Sequence, residues 1–363
     1  MPAAARAAEL EFGLFDWVDA VPGSTPAEVY DGRLGLLAEA DEGGFAVYHL
    51  AEHHGTPLGM APSPAVFLAA AARTTRRIRL APTTFVVPLH DPLRLAEEIA
   101  MLDQLSHGRL EVGVGRGSSP FEAAMYGLGP GEAAERFDAL VGSVLEALET
   151  GVFRRPGGGA DVPLHLPVHQ RPHPPLWYPT SNPASVPRLG ERGYSVLFGF
   201  GFAAPAAEVV REQREVFLAG FRAARERGAA TYRGPRDEPR FGIMRHVLVA
   251  PTDAEAAALA RPAFADHYAS FAHLWRAHGS DRFTTTPDVE ALAAEGRFLL
   301  GSPRTVAGQV AAAVGATGVD YLAGAFAWGS LDPAVSLRSL RLFRDEVVPA
   351  VRTALAAGSP PLP

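Results

Sequence analysis

The 363-residue chain is 47% hydrophobic and 20% charged, the balance of a globular protein long enough to bury a sizeable core. Its net charge of −7 excludes the basic surface needed for nonspecific nucleic-acid binding. All 33 basic residues are arginine and cysteine is absent, which excludes lysine Schiff-base chemistry, disulfides, thiolate nucleophiles and sulfur metal sites.

No apolar run reaches the roughly 18 residues of a membrane span. The Ala-rich start over 1–8 is too short and too weakly apolar for a signal segment, so a cytoplasmic enzyme with no membrane partner is expected.

Taken in chain order, short apolar runs alternate with longer helical patterns. The pattern predicts strands near 11–16, 45–50, 78–82, 109–115, 175–180, 194–199, 241–249 and 319–326. It predicts helices near 26–42, 64–75, 92–105, 131–150, 183–192, 205–227, 303–314 and 333–355. Eight strands, each followed by a helix, is the count of a closed (β/α)8 TIM barrel, and 1–363 reads as one such domain. A doubly wound open sheet is the competing arrangement, but the first turn, Phe15-Asp16-Trp17-Val18-Asp19, lacks its usual glycines. Three segments interrupt the alternation. The Pro-, Gly- and His-rich stretch 151–175 reads as an extended excursion, and 229–239 as a polar turn region. The aromatic-rich stretch 262–297 falls between the seventh strand and the last βα unit. The first and third are expected as insertions at the C-terminal rim, where long insertions form lids or pockets.

Two polar clusters follow strand-like runs. Phe45-Ala46-Val47-Tyr48 leads into Ala51-Glu52-His53-His54, and Arg109 to Val114 leads into Gly115-Arg116-Gly117. In a barrel both reach the rim where ligands bind. His53 there suits proton transfer, with hydrogen bonding to loop backbone as the plain alternative for it and His54; Glu52 reads as a supporting group. The Arg116 fork suits a phosphate, with an ordinary ion pair as its alternative, and Ser118-Ser119 adds donors. Along the fourth strand Leu110, Val112 and Val114 should face the helices. Gly113 and Gly115 then point inward, either leaving room for a flat ring or simply easing curvature. The aromatic set Phe15, Trp17, Phe85, Trp177, Tyr178, Phe326 and Trp328 lies near predicted strand ends and divides between core and apolar site walls.

A metal-dependent hydrolase barrel is the second class suggested by Glu52, His53 and His54. Adjacent histidines on a strand point to opposite faces, however, so both seldom ligate one ion. His165, His169 and His173 are four apart, but Pro163, Pro167, Pro172 and Pro174 exclude the helix that would align them. His267, His273 and His278 read as ordinary surface or lid residues.

The ordered set of motifs resembles the bacterial luciferase-like family of flavin-dependent oxidoreductases. The matching stretches are Ala51 to His54, Leu80 to Pro88, Asp91 to Glu98, Leu102 to Arg109, Gly113 to Gly117, Gln170 to Trp177 and Gly301 to Val306. The resemblance covers most of the chain and thins over 200–297. It implies a (β/α)8 barrel, usually a homodimer, that binds reduced FMN or a deazaflavin at the carboxyl rim. In the family's monooxygenases a separate flavin reductase supplies the reduced flavin, which reacts with oxygen. The resemblance carries the catalytic histidine onto His53 and the phosphate-holding arginine onto Arg116, between Gly115 and Gly117. It carries the rest of the phosphate cradle onto Ser181, Asn182 and Ser185, hydroxyl and amide groups at a helix start where Pro183 fits the first turn. A cis peptide under the flavin ring falls at Thr83–Thr84. Where the luciferase subunit has a cysteine this chain has Gly115, a departure from the light-emitting branch.

The expected function is therefore oxygenation of a small organic substrate by reduced FMN and oxygen. A deazaflavin-dependent hydride-transfer enzyme of the same family is the alternative. A metal-dependent hydrolase or a non-catalytic flavin-binding protein stands further off.

Overall fold

The computed structural model describes residues 10–229, 232 and 234–357. The start over 1–8 lies outside these residues, and the turn region at 229–239 is described only in part.

Eight parallel strands build the barrel: β1 (Glu11–Asp16), β2 (Val47–Leu50), β3 (Arg79–Pro82), β4 (Val112–Gly115), β5 (Leu176–Thr180), β6 (Ser195–Phe200), β7 (Phe241–Val249) and β8 (Tyr321–Ala325). Neighbours pair in the order β3-β2-β1-β8-β7-β6-β5-β4. A parallel bridge between Leu80 and Leu110 joins β3 to the approach of β4 and closes the ring. This is the predicted (β/α)8 architecture, with the fourth strand shorter than the expected 109–115.

The helices are α1 (Pro26–Glu42), α2 (Pro64–Thr74), α3 (Pro92–Leu105), α4 (Pro120–Met125), α5 (Glu132–Thr150) and α6 (Val186–Glu191). They continue with α7 (Ala207–Glu226), α8 (Asp253–Ala277), α9 (Val289–Ala294), α10 (Pro303–Thr317), α11 (Pro333–Leu342) and α12 (Val348–Ala356). Their starts share a local device. Thr25, Asp91, Ser119, Ser302 and Asp332 each accept a backbone N–H of the first turn, and a proline follows each one. The side chain satisfies a donor that has no intrahelical partner, and proline costs nothing where no N–H is needed. Among the described residues no helix is long and apolar enough to cross a membrane.

Helices α4, α8 and α9 and two further strands, Phe85–Val86 and Phe298–Gly301, are elements that the sequence pattern misses. The proline at 262, taken as the edge of an insertion, sits inside α8. A helix-interior proline costs about 3 kcal/mol. Here α8 buries Ala256, Ala260, Ala263, Phe264, His267 and Tyr268 on one face, and that packing outweighs the lost bond. Phe298–Gly301 pairs with the second half of β7 (His246–Val249), while the first half pairs with β8. The excursion from the barrel therefore begins directly after β7 and ends at this strand. The 151–175 stretch holds a two-stranded antiparallel ribbon, Val152–Phe153 with Val162–Pro163, and otherwise irregular backbone, as its prolines predict. It is not the rim insertion expected of it: it runs from the end of α5 to the start of β5, and Gln170 bonds Arg79 and the Leu110 carbonyl at the floor.

Phe12 and Leu14 on β1, like Val112 and Val114 on β4, join the cluster between the strands and the helix ring. The interior is packed by Trp177, Leu197, Tyr321 and Ala323, with His49 among them, as expected of a filled barrel rather than a pore. At the floor, where the strands begin, Arg240 pairs with Glu11 at 2.6 Å and Glu111 at 3.4 Å, and Arg79 pairs with Glu111. Burial raises the Glu111 carboxyl, but the two arginines and the Trp177 N–H outweigh it and hold it below its ordinary range.

Candidate active site

The loops that leave β1 to β6 and the upper half of β7 surround a cavity of about 430 Å³ at the C-terminal rim, within the usual range for small-molecule sites. His53, Thr83, Thr84, Gly115, Arg116, Gly117 and Ser181 all line it. Asn182 and Ser185 do not. Asn182 accepts the Ala184 N–H and so caps the short 3-10 turn Pro183–Ser185 ahead of α6. Thr180 Oγ1 accepts the Asn182 N–H at 3.0 Å, which folds Ser181 back over the end of β5.

The peptide between Thr83 and Thr84 is cis, as the resemblance implies. The two inward glycines of β4 have a more specific use than the room for a ring expected of them. A Cβ at Gly113 would stand 2.3 Å from the Pro82 carbonyl oxygen, and one at Gly115 2.8 Å from the Thr84 side chain. The missing side chains thus admit the end of β3, and only Gly115 also faces the cavity. Below it, Thr83 Oγ1 meets His49 Nδ1 at 2.7 Å, and His49 Nε2 meets the Tyr321 hydroxyl at 2.8 Å. Burial, with Arg240 nearby, pushes the His49 pKa down to about 3, so it supports Thr83 as a neutral ring.

The two histidines of the Glu-His-His run have different fates. His53 Nδ1 lies 3.0 Å from Glu122 Oε1 and the side chain remains 19% exposed at the cavity, with Nε2 unbonded among the described residues. Glu122 belongs to α4, where the Ser119 cap fixes its backbone, and its second oxygen accepts the His54 N–H. A carboxylate on Nδ1 places that proton there and leaves Nε2 as the working nitrogen. His54 has both ring nitrogens engaged, with Glu52 at 2.8 Å and the Tyr126 hydroxyl at 3.0 Å. Glu52 also binds His90 Nε2 at 3.0 Å and the Val86 N–H at 2.9 Å. Burial raises the Glu52 carboxyl, but these bonds outweigh it and the group stays ionised below its ordinary value. Glu52 and His54 therefore brace the loops after β2 and β3. His53 is the member of the run that faces the cavity with a free nitrogen.

Arg116 is exposed at the mouth and makes no ion pair or hydrogen bond among the described residues, so its guanidinium is open to an anion. Of the aromatic set, Phe15, Trp17 and Tyr178 line the cavity, whereas Phe85, Trp177, Phe326 and Trp328 are fully buried core. Among the described residues no group of three or more His, Asp or Glu is placed to hold a metal ion.

Sequence reasoning missed Glu122, whose pairing with His53 spans 69 positions, and misjudged His267. His267 is 1% exposed in the cavity wall rather than at the surface. The signal was present: Phe264, His267, Tyr268 and Phe271 follow helical spacing and put one stripe on one face. The expectation of an irregular insertion there hid that periodicity.

A closed barrel whose rim gathers an open cation, a carboxylate-held histidine and apolar walls around one cavity has the form of an enzyme for a small molecule. The model of the luciferase-like monooxygenase family matches residues 10–321, and the chain belongs to that family of flavin-dependent oxidoreductases. The uncharacterised y4wF protein of Sinorhizobium fredii is 33% identical over 94% of this chain and 98% of its own. The 2,5-diketocamphane 1,2-monooxygenase 2 of Pseudomonas putida is 28% identical over 95% and 100%. The oxygenase component of the flavin-dependent trigonelline monooxygenase of Acinetobacter baylyi is 28% identical over 68% and 67%. Among solved structures, monooxygenase RslO1 of Streptomyces bottropensis superposes with a TM-score of 0.81 at 26% identity, covering 94% of this chain and 99% of its own. The fold is also that of the oxygenating constituent of 3,6-diketocamphane monooxygenase of Pseudomonas putida in complex with FMN, with a TM-score of 0.75 at 24% identity over 94% and 98%.

Proposed function

We propose that the protein is a monooxygenase that uses reduced FMN and oxygen to oxygenate a small organic substrate. The observation that carries this reading is one cavity joining the unpaired Arg116 to His53, whose Nδ1 is held by Glu122 and whose Nε2 is free. Arg116, Gly117 and Ser181 would hold the FMN phosphate, with Asn182 and Ser185 shaping the turn beside it. Thr83, Thr84 and Gly115 would lie against the ring. When bound, reduced FMN supplies the electrons that activate oxygen; a separate flavin reductase replenishes it, as the name of the trigonelline oxygenase component suggests for that relative.

The chain's own residues do the rest. His53 Nε2 takes or returns a proton at the cavity, and Glu122 keeps its tautomer. Phe15, Trp17 and Leu58 exclude water from the reacting atoms. A homodimer is part of the proposal: Val66 on α2 and Met101 and Leu105 on α3 leave apolar surface exposed, and sedimentation of the purified protein tests it.

The deciding experiment is an anaerobic titration with reduced FMN and with reduced deazaflavin, followed by an air pulse. Selective binding of FMN with an oxygen-dependent absorbance transient is the expected result. Selective binding of the deazaflavin with no such transient overturns the proposal in favour of hydride transfer.

A further inference from the structure

A second histidine pair opens on the same cavity from β7 and α8. His246 and His267 both line it, both are buried, and their Nε2 atoms stand 3.1 Å apart. His267 Nδ1 lies 3.0 Å from Asp19 Oδ2. Asp19 is itself fixed: the Gly329 N–H donates to the same oxygen at 2.6 Å, and Arg33 donates to the other at 2.9 Å. A carboxylate paired to arginine accepts, so His267 carries a proton on Nδ1. In the neutral His267 tautomer Nε2 is bare, so His246 donates from its own Nε2 and keeps a lone pair on Nδ1. Burial, and after it the neighbouring His267 and Arg245, keeps His246 neutral.

That lone pair has no partner. Among the described residues, it is the one unpartnered buried side-chain atom that belongs to a residue lining this cavity. Trp17 and Phe298 stack on the His246 ring, each with centroids 5.1 Å away, and hold it from turning its Nδ1 toward another donor. Its Nδ1 edge faces Gly201, where a Cβ would come within 2.7 Å of both Nδ1 and Cε1. A side chain at 201 would collide with the ring, and glycine leaves that buried edge facing no bonding atom. The surrounding walls are apolar: Phe200, Phe202, Met244 and Phe271. A buried acceptor left unpaired in such a place is disfavoured, and a ligand donor relieves it.

We propose that His246 Nδ1 is the polar anchor of the substrate pocket and selects an apolar molecule bearing one hydroxyl or N–H donor. This deepens the monooxygenase reading and rests on it for the ligand's being a substrate. The donor recognition itself needs only the cavity and the Asp19–His267–His246 chain.

The test is calorimetric titration of the protein, with FMN added and without it, by 4-ethylphenol and by its methyl ether, 4-ethylanisole, in which a methyl group replaces the donor hydrogen. The phenol is expected to bind about tenfold tighter, the size of one neutral hydrogen bond. His246→Phe is expected to abolish the preference while leaving the affinity for the ether. Equal affinities in the unaltered protein, binding of neither, or a preference that survives in His246→Phe overturns the assignment. A second measurement needs no variant: nitrogen-15 NMR is expected to show His246 protonated on Nε2 alone, with Nδ1 shifted by the phenol and not by the ether. Protonation on Nδ1 overturns the proposal. A protein that prefers the phenol but fails to bind FMN overturns the flavin reading and supports this one. Normal FMN binding without the preference does the reverse.

Discussion

The floor and the rim of the barrel use the same kinds of residue and leave them in opposite states. At the floor, Arg240, Arg79, Glu11 and Glu111 are joined to one another, and the Trp177 N–H donates to Glu111. At the rim, Arg116 has no partner among the described residues, His53 keeps Nε2 free, and His246 Nδ1 is buried and unbonded. Buried polar groups are normally satisfied inside the protein, because leaving one unpaired costs about 1–3 kcal/mol. A set of open donors and acceptors converging on one cavity is therefore where a ligand completes the structure. The closed set at the floor serves the fold alone.

If this contrast is right, changes at the rim should alter chemistry with little effect on stability, and changes at the floor the reverse. His53→Ala should lower product formation by roughly 10²–10⁴-fold, the usual contribution of a general acid–base group, while sparing flavin binding. Steady-state turnover beside a flavin titration reads both, and unchanged turnover would remove His53 from the mechanism. Arg240→Ala removes the arginine that Glu11 and Glu111 share, leaving Arg236 on the first and Arg79 on the second, and should destabilise the fold by about 1.5–3 kcal/mol in denaturant unfolding. A loss well under 1 kcal/mol would show the floor network to be dispensable. Arg116→Ala should weaken FMN binding by about ten- to a hundred-fold, the range of a charged hydrogen bond of about 1.5–3 kcal/mol, with the unfolding midpoint unmoved. An unaltered flavin affinity would sink the phosphate assignment.

The smallest effect expected is the pH dependence of the brace beside the site. Burial lowers the His90 pKa, but the bond and charge of Glu52 outweigh it and leave the pKa above its ordinary value. A raised histidine pKa contributes stability that is fully present below the unfolded value of about 6.5 and is lost as pH rises through the folded value. Unfolding midpoints should therefore fall modestly as pH climbs above neutrality, and His90→Gln should flatten that slope. A slope identical in the variant would detach it from this pair.

The barrel was legible because its determinants are local. Strand runs, capping residues followed by proline, and amphipathic helices each declare themselves within ten or twenty residues. Helix α8 escaped for the same reason: the local break at Pro262 is overridden by burial against the barrel, which no window of sequence contains. The site divides in the same way. His53, Arg116 and the Thr83–Thr84 turn stand in contiguous motifs at strand ends, and the rim position of such ends follows from the fold.

Taken alone, the sequence determined the barrel, its working end and which residue types arrive there, because each depends on periodicity and on short motifs. Tertiary structure decided which of those residues remain open. Glu122 meets His53 across 69 positions and Asp19 meets His267 across 248, so the tautomer of each histidine is set by a partner that only the closed barrel brings near. Likewise Glu52 engages His54 and leaves its neighbour His53 free. Adjacent and identical in the sequence, the two histidines are distinguished by hydrogen-bond geometry, and that geometry exists only once the loops after β2, β3 and β4 are packed together.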